Sequence, residues 1–376
     1  MNKTTSKNNR DNTISRRTFL KSTAAIGLSG IAANVPFSQA LAATKAEAER
    51  LNKETITHEF QFRKGKFKIM QITDTHYIKG DERSRRSFET VSEIIESEHP
   101  DLVIHTGDVI SDGNTRHQID AIGSMEEILG VVSDHKVPFA VALGNHDGQF
   151  GVSRHDIFEA IKTLPYNINR GVEGIYGDSN DLITLTSEKG GVPKWAFFLF
   201  DSGDSTSLKN VGGWSYDYIH FDQIAWYRAW SERFFKANGE RPVPALAFMH
   251  IPVPEYTYAL HDGEGHFHRI LKGNLGEEPC PPLINSGLFT AMKEMDDVKA
   301  IVCGHDHDND YAMKWKEMLL LFGRFSGGDT VYNHLKPNGA RIFEFTEGKE
   351  TFRSWIHEHG GQISQDLILP DAFNEK

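Results

Sequence analysis

Short apolar runs alternate along this chain with longer stretches in which apolar residues recur every three to four positions. The runs Phe67–Thr73, Leu102–Thr106, Phe139–Leu143, Trp195–Phe200, Pro244–Met249 and Val298–Cys303 have the length and the branched or aromatic character of buried strands. Between them, Ser84–Glu98, Thr115–Asp134, Ser153–Thr163, Phe221–Asn238 and Gly287–Glu294 carry the helical period. Alternation of this kind predicts an α/β core. Beyond it the pattern turns strand-rich, over Tyr311–Lys316, Met318–Phe322, Ala340–Thr346 and Thr351–His357. No internal repeat or low-complexity tract interrupts the sequence. The simplest division is a single continuous domain over residues 58–376, preceded by a charged linker, 43–57.

Residues 1–42 read as a targeting segment. A basic stretch ends in Ser15-Arg16-Arg17-Thr18-Phe19-Leu20-Lys21, the mostly apolar run Ala24–Ala33 follows, and Ala40-Leu41-Ala42 has the small-residue spacing of a cleavage site. The arginine pair with Phe19-Leu20-Lys21 resembles a twin-arginine signal. That resemblance implies a bacterial protein exported already folded by the twin-arginine translocation machinery, to the periplasm or beyond. An ordinary basic leader and an uncleaved anchor are the alternatives. No run reaches the roughly 18 apolar residues of a spanning helix, so no stable membrane contact is expected after cleavage.

Removing this segment sharpens the charge. The whole chain carries 41 Lys/Arg against 52 Asp/Glu, net −11. Residues 1–42 hold six of the bases and one of the acids, which leaves 35 against 51, or −16. An acidic body of this kind disfavours nucleic acid as a partner, because a polyanion needs a basic face to displace its counterions. A small phosphorylated substrate remains compatible if metal ions supply positive charge locally. The two cysteines, Cys280 and Cys303, are expected to be free thiols.

The chemistry gathers where the apolar runs end. Asp74 and His76 follow the first run, Gly107-Asp108 the second, Gly144-Asn145-His146-Asp147 the third, His250 the fifth, and Gly304-His305-Asp306-His307 the sixth. Ligand sites in open α/β sheets lie beyond the carboxyl ends of strands, so five such ends point to one place. Asp74, His76, Asp108, Asn145, His250, His305 and His307 supply carboxylate, imidazole and carbonyl oxygen without thiolate, a donor set that suits Mn, Fe, Zn or Co. Each glycine ahead of a ligand lets the backbone bend as it leaves the strand. Any one of these short motifs alone is most often a capped loop; the ordered set of five is not.

The ordered set Asp74-Thr75-His76, Gly107-Asp108, Gly144-Asn145-His146-Asp147, His250 and Gly304-His305-Asp306-His307 resembles the signature of the calcineurin-like metallophosphoesterases. The resemblance implies a four-layer α/β/β/α sandwich and two divalent metal ions, one held by Asp74, His76 and His307, the other by Asn145, His250 and His305, with Asp108 bridging. It implies hydrolysis of phosphate monoesters by a metal-bridging hydroxide, or of diesters, including cyclic nucleotides, by the same core. His146 takes the role of stabilising the phosphoryl oxygens or protonating the leaving alkoxide, with Asp147 or Asp112 as the carboxylate that orients it. Ser111 stands where purple acid phosphatases carry a metal-binding tyrosine, which puts a coloured centre in doubt. The segments His250-Ile251-Pro252-Val253-Pro254-Glu255-Tyr256 and Asn285-Ser286-Gly287-Leu288-Phe289 look like the smaller purple-acid-phosphatase-like branch, which favours small phosphomonoesters.

Other residues carry two readings each. His261, His266, His268 and Glu277 belong to a loop-rich insertion that is either a specificity lid or a solvated surface loop. Arg83, Arg85 and Arg86 either grip a phosphate or form an exposed helix face. Asp201 is a further acid near the site or a turn cap. Trp214, Tyr216, Tyr218 and Trp226 line a pocket or fill the core.

The export reading has a direct test. Replacing Arg16 and Arg17 together by lysine is expected to hold the protein in the cytoplasm, and the wild-type secreted form is expected to begin at Ala43. Fractionation and N-terminal sequencing check both, and normal export of the double-lysine form would sink the twin-arginine assignment.

Overall fold

The computed structural model describes residues 58–111, 119–206, 213–261 and 271–374. Residues 1–42, read above as a signal, the expected linker 43–57, Asp112, His266 and His268 lie outside these residues. In chain order the strands are β1 His58–Gln61, β2 Lys66–Ile72, β3 Leu102–His105, β4 Phe139–Val141, β5 Asp181–Thr186, β6 Trp195–Leu199, β7 Ser205–Thr206, β8 Ser215–Tyr216, β9 Ala245–Phe248, β10 Val298–Cys303, β11 Ala312–Trp315, β12 Met318–Phe322, β13 Gly339–Thr346, β14 Phe352–Glu358 and β15 Ile363–Leu369. The α-helices are α1 Arg85–Glu98, α2 Ala121–Asp134, α3 Arg154–Lys162, α4 Phe221–Ala237, α5 Glu255–Leu260 and α6 Leu288–Met295.

Side-chain alternation decides how these elements stack. In β6, Trp195, Phe197 and Leu199 point to one cluster, shared with Phe67, Ile69, Phe248, Phe343 and Phe345 of other strands, while Ala196 and Phe198 point to another, shared with Trp226, Tyr227 and Trp230 of α4. Strands buried on both faces need cover on both sides. A seven-stranded sheet, ordered β1-β5-β6-β9-β10-β12-β11, packs against a six-stranded one, ordered β15-β14-β13-β2-β3-β4. Helices α4, α5 and α6 cover the outer face of the first, and α1, α2 and α3 that of the second. This is the four-layer α/β/β/α arrangement.

The polarity of the strands places the site. β2, β3 and β4 run parallel in one sheet, and β6, β9, β10 and β12 run parallel in the other. Their carboxyl ends meet where the sheets face each other. There Gln71 donates its amide to Thr106 Oγ1 (2.9 Å) and to the Cys303 carbonyl (3.1 Å), a buried polar link from β2 to β10.

Several elements depart from the sequence pattern. α2 begins at Ala121, where the Asp120 carboxylate accepts the Gly123 N–H (2.9 Å), and residues 115–118 of the expected helix lie outside the described ones. β5 was hidden by its polar residues: Asp181 turns its carboxylate back to the Arg170 and Gly171 amides. β15 is a half-exposed strand at the sheet edge and β1 is only four residues long, so neither shows a hydrophobic run.

On the outer side of the six-stranded sheet, the buried carboxylate of Glu98 accepts from Lys68 Nζ (2.9 Å), Trp355 Nε1 (2.8 Å) and His357 Nδ1 (2.7 Å). Burial alone would raise its pKa, but the hydrogen bonds from His357, Lys68 and Trp355 outweigh that and hold it at about 2, against an ordinary 4.5. A carboxyl depressed in the folded state stabilises fully above its unfolded value and progressively less as the pH falls through the folded one. Glu98→Gln is therefore expected to lower stability at neutral pH by about 2 kcal/mol. It should also flatten the loss of stability between about pH 4.5 and 2. Urea unfolding across that range checks both, and a variant with the wild-type profile would remove Glu98 from this role.

Candidate metal centre

Each ligand sits just past a strand end, and four of the seven hold backbone that costs energy. Asp74 (φ 53°), His76 (φ 41°), Asp108 (φ 52°) and His305 (φ 79°) all adopt the left-handed conformation that side chains disfavour. Such residues cost on the order of 1–3 kcal/mol each and persist where the surroundings over-determine them. The glycines explain part of that determination. Gly107 (φ 91°) makes a sharp bend, but Gly144 and Gly304 serve close approach: a β-carbon would strike the Asp108 carboxylate at the first and Thr73 Oγ1 at the second.

All seven expected ligands come together, and all are buried. Asp74, His76 and His307 form one group and Asp108, His250 and His305 another, the donor atoms within each lying within 4.8 Å of one another. Asn145 joins the second, its Oδ1 3.1 Å from His250 Nε2. The Asp108 Oδ2 atom lies 3.1 Å from His250 Nε2 and 3.6 Å from His76 Nε2, one nitrogen of each group.

Imidazole orientation follows from the outer partners. His250 Nδ1 lies 2.8 Å from the Thr106 carbonyl and His307 Nδ1 lies 2.8 Å from that of Tyr332. A carbonyl only accepts, so both Nδ1 atoms carry the proton and Nε2 faces inward. His76 Nε2 and His307 Nε2 then stand 3.0 Å apart, and His305 Nδ1 stands 3.2 Å from His250 Nε2. Burial, together with the neighbouring imidazoles, pushes His76 and His305 well below the ordinary histidine range. Imidazole nitrogens that converge at such distances beside buried carboxylates fit cations between them, and nitrogen with carboxylate oxygen suits borderline divalent metals.

His146 stands apart from the ligands. Its side chain is 26 % exposed, its Nε2 lies 4.0 Å from Asp108 Oδ2, and its backbone N–H donates to Asp108 Oδ1 (2.8 Å). The expectation that Asp147 orients the His146 ring needs correcting. The buried Asp147 carboxylate accepts the backbone N–H groups of Asp108 (3.0 Å), Val109 (2.8 Å), Ile110 (3.3 Å) and Gly144 (2.8 Å), and so ties the loops after β3 and β4 together. Burial, followed by the charge of Asp108, lifts its pKa to about 6. The ring partner is Gln149, whose Nε2 lies 2.9 Å from His146 Nδ1. Gln149 lies three residues after His146, a spacing that suits one turn but is too common to stand out. Arg154 was also missed; half-buried, it bonds the Gly144 carbonyl and the Asp201 carboxylate, which makes Asp201 part of the loop scaffold.

The remaining expectations divide. Arg83 and Arg85 are exposed and paired with Asp81 and with Glu82 and Glu89, and Arg86 meets His359, so none reaches the centre. Exposed His261 pairs with Glu278. Trp226 is core and Tyr218 stacks on His220, whereas Tyr216 packs edge-on against His305 with ring centroids 4.5 Å apart. Both cysteines are free, as expected; Cys303 is buried and Cys280 is exposed.

Residues 67–309 match the sequence profile of the calcineurin-like phosphoesterases. Among similar proteins, the probable inactive purple acid phosphatases 28 and 29 of Arabidopsis thaliana are each 29 % identical, over 76 % and 69 % of this chain and 76 % and 71 % of their own. The Saccharomyces cerevisiae phosphatase DCR2 is 26 % identical over 79 % of this chain and 54 % of its own. A dimetal phosphatase from Danio rerio shares the fold at 13 % identity, with a TM-score of 0.55, covering 81 % of this chain and 98 % of the other.

Because the Asp147 carboxylate gathers four amides without touching a ligand atom, Asp147→Asn is expected to act through the scaffold. Its amide cannot accept all four bonds, and unsatisfied buried donors cost about 1–3 kcal/mol each. The metal-free protein should melt several degrees lower, and elemental analysis should show reduced metal content. Full metal content and an unchanged melting temperature, with turnover alone lost, would return Asp147 to a catalytic role.

Proposed function

Since this chain belongs to the calcineurin-like phosphoesterase family, we propose that it hydrolyses small phosphate monoesters at a centre that takes two divalent metal ions. The observation that carries this reading is the position of Asp108, whose Oδ2 faces one nitrogen of each ligand group. Asp74, His76 and His307 would hold one ion, and Asn145, His250 and His305 the other, with Asp108 shared. When bound, the two ions supply Lewis acidity toward the phosphate and make water acidic enough to react near neutral pH.

The chain's own groups do the rest. The Thr106 and Tyr332 carbonyls keep His250 and His307 in the tautomer that turns Nε2 inward. His146 sits where the ligand shell opens. Its Nε2 side faces the space beside Asp108, and Gln149 holds the opposite nitrogen, so the ring presents its proton to the phosphoryl oxygens or to the departing alkoxide. Retention of every ligand favours an enzyme over a bare scaffold, although two of the relatives are named inactive. The purple-acid-phosphatase relatives support monoesters over diesters. Export by the twin-arginine route belongs to the same proposal and rests on Arg16-Arg17 and Ala40-Leu41-Ala42.

The test uses metal-reconstituted protein and a panel of matched mono- and diesters. Monoesters are expected to turn over faster, and a centre that cleaved only diesters would overturn the substrate assignment. His146→Ala is expected to retain both metals and lose roughly 10²–10⁴ in kcat. The loss should be largest for alkyl esters and smallest for nitrophenyl phosphate, whose leaving group needs little protonation. A uniform loss across esters would assign His146 to the phosphoryl oxygens, and loss of metal would make it a structural support.

A further inference from the structure

Two exposed aromatic faces flank the metal centre, each resting on a ligand histidine. On one side the Tyr332 ring lies nearly parallel on His307, centroids 4.4 Å apart at 28°, and the residue is 50 % exposed. On the other, Tyr216 meets His305 edge-on, and Trp214, 63 % exposed, packs on Tyr216 at 4.8 Å. Aromatic side chains left this exposed beside a reactive centre are not explained by core packing.

Carboxylates accompany both faces. The Tyr332 hydroxyl donates to Glu277 Oε2 (2.9 Å), and Glu277 Oε1 accepts the Asp308 N–H (2.8 Å), so this carboxylate is fixed at the edge of the ring. Burial and Glu277 push the Tyr332 phenol above its usual range, so its proton stays in place as the donor. Among the described residues no Lys, Arg or His pairs with Glu277. On the Tyr216 side, Asp204 lies half-buried within electrostatic reach of His146 and Asp108.

An electron-rich ring face beside a fixed carboxylate attracts a cation, above all a weakly hydrated ammonium. A neutral aryl group would stack on the ring but leave the carboxylate unanswered, and an anionic one would be repelled. We propose that the leaving group of the preferred substrate is a cationic alcohol of the choline or ethanolamine class, its ammonium seated against Tyr332 and Glu277 while the phosphate lies on the metal centre. This inference rests on the phosphoesterase reading and narrows it to one substrate chemistry. The same cationic phosphate occurs as a free monoester and as a lipid headgroup.

The decisive comparison is phosphocholine against 3,3-dimethylbutyl phosphate, which has its shape without its charge. With metal-loaded full-length protein, phosphocholine is expected to be favoured about tenfold in kcat/KM, the size of one well-placed cation–π contact. Calorimetry should show the same preference in binding, independently of turnover. Glu277→Gln, which removes the charge and keeps one acceptor oxygen of the two that Tyr332 and Asp308 use, and Tyr332→Leu should each bring the ratio toward one, whatever they do to both rates. Phosphatidylcholine vesicles form the second arm: release of choline from them, with phosphatidate left behind, would assign the headgroup, and cleavage of the free ester alone would assign the small molecule. A wild-type ratio near one, with both esters hydrolysed, would overturn cation recognition and leave the phosphoesterase standing. Failure to hydrolyse any ester would overturn the phosphoesterase itself, and equal calorimetric affinities would still sink the cation site.

Discussion

A carboxylate whose bonds go to four backbone amides organises this centre. Asp147 draws the amides of Asp108, Val109, Ile110 and Gly144 to one point, and in doing so fixes the loops after β3 and β4 relative to each other. Those loops carry Asp108, Asn145 and His146, which come from one sheet; His250 and His305 arrive from the other. The two sheets would otherwise meet only through apolar packing, which is nearly indifferent to direction. Hydrogen bonds supply the missing precision: Gln71 links β2 to the end of β10, and the His305 N–H donates to Asp74 Oδ2 (3.0 Å).

That precision sustains unfavourable local states. Four ligands hold left-handed backbone, and convergent imidazole nitrogens stand about as close as hydrogen-bonded atoms. Neither condition would survive on a flexible surface loop. Here the last residues of the strands behind each ligand are buried and the glycines let neighbouring segments close to contact, so the fold bears the strain and delivers donors already aimed inward.

Around this rigid floor the mouth is built differently. Tyr332 reaches it from the loop after β12, Tyr216 and Trp214 from the short β7–β8 ribbon, and Glu277 from the long connection after α5. These segments contribute few strand hydrogen bonds, so their side chains can vary more freely than the strands, while the Tyr332 carbonyl still orients His307.

Local sequence marked the seven candidate ligand residues, the layer architecture and most of the strands that bear them. Its signals there are local: a buried run reads as apolar, and a short motif at its end reads as chemistry, as with Val298–Cys303 followed by Gly304-His305-Asp306-His307. What it left open depends on contacts between distant segments. Asp147 looked like the partner of His146 because they are neighbours in sequence, but successive side chains diverge, and the carboxylate turned to backbone 37–39 residues away. The Arg154 tie to Asp201, the Glu98 cluster with Trp355 and His357, and the meeting of Tyr332 with Glu277 have no local signature either. Each joins polar residues whose spacing in the chain is arbitrary, and only the packing of two sheets against each other makes them neighbours.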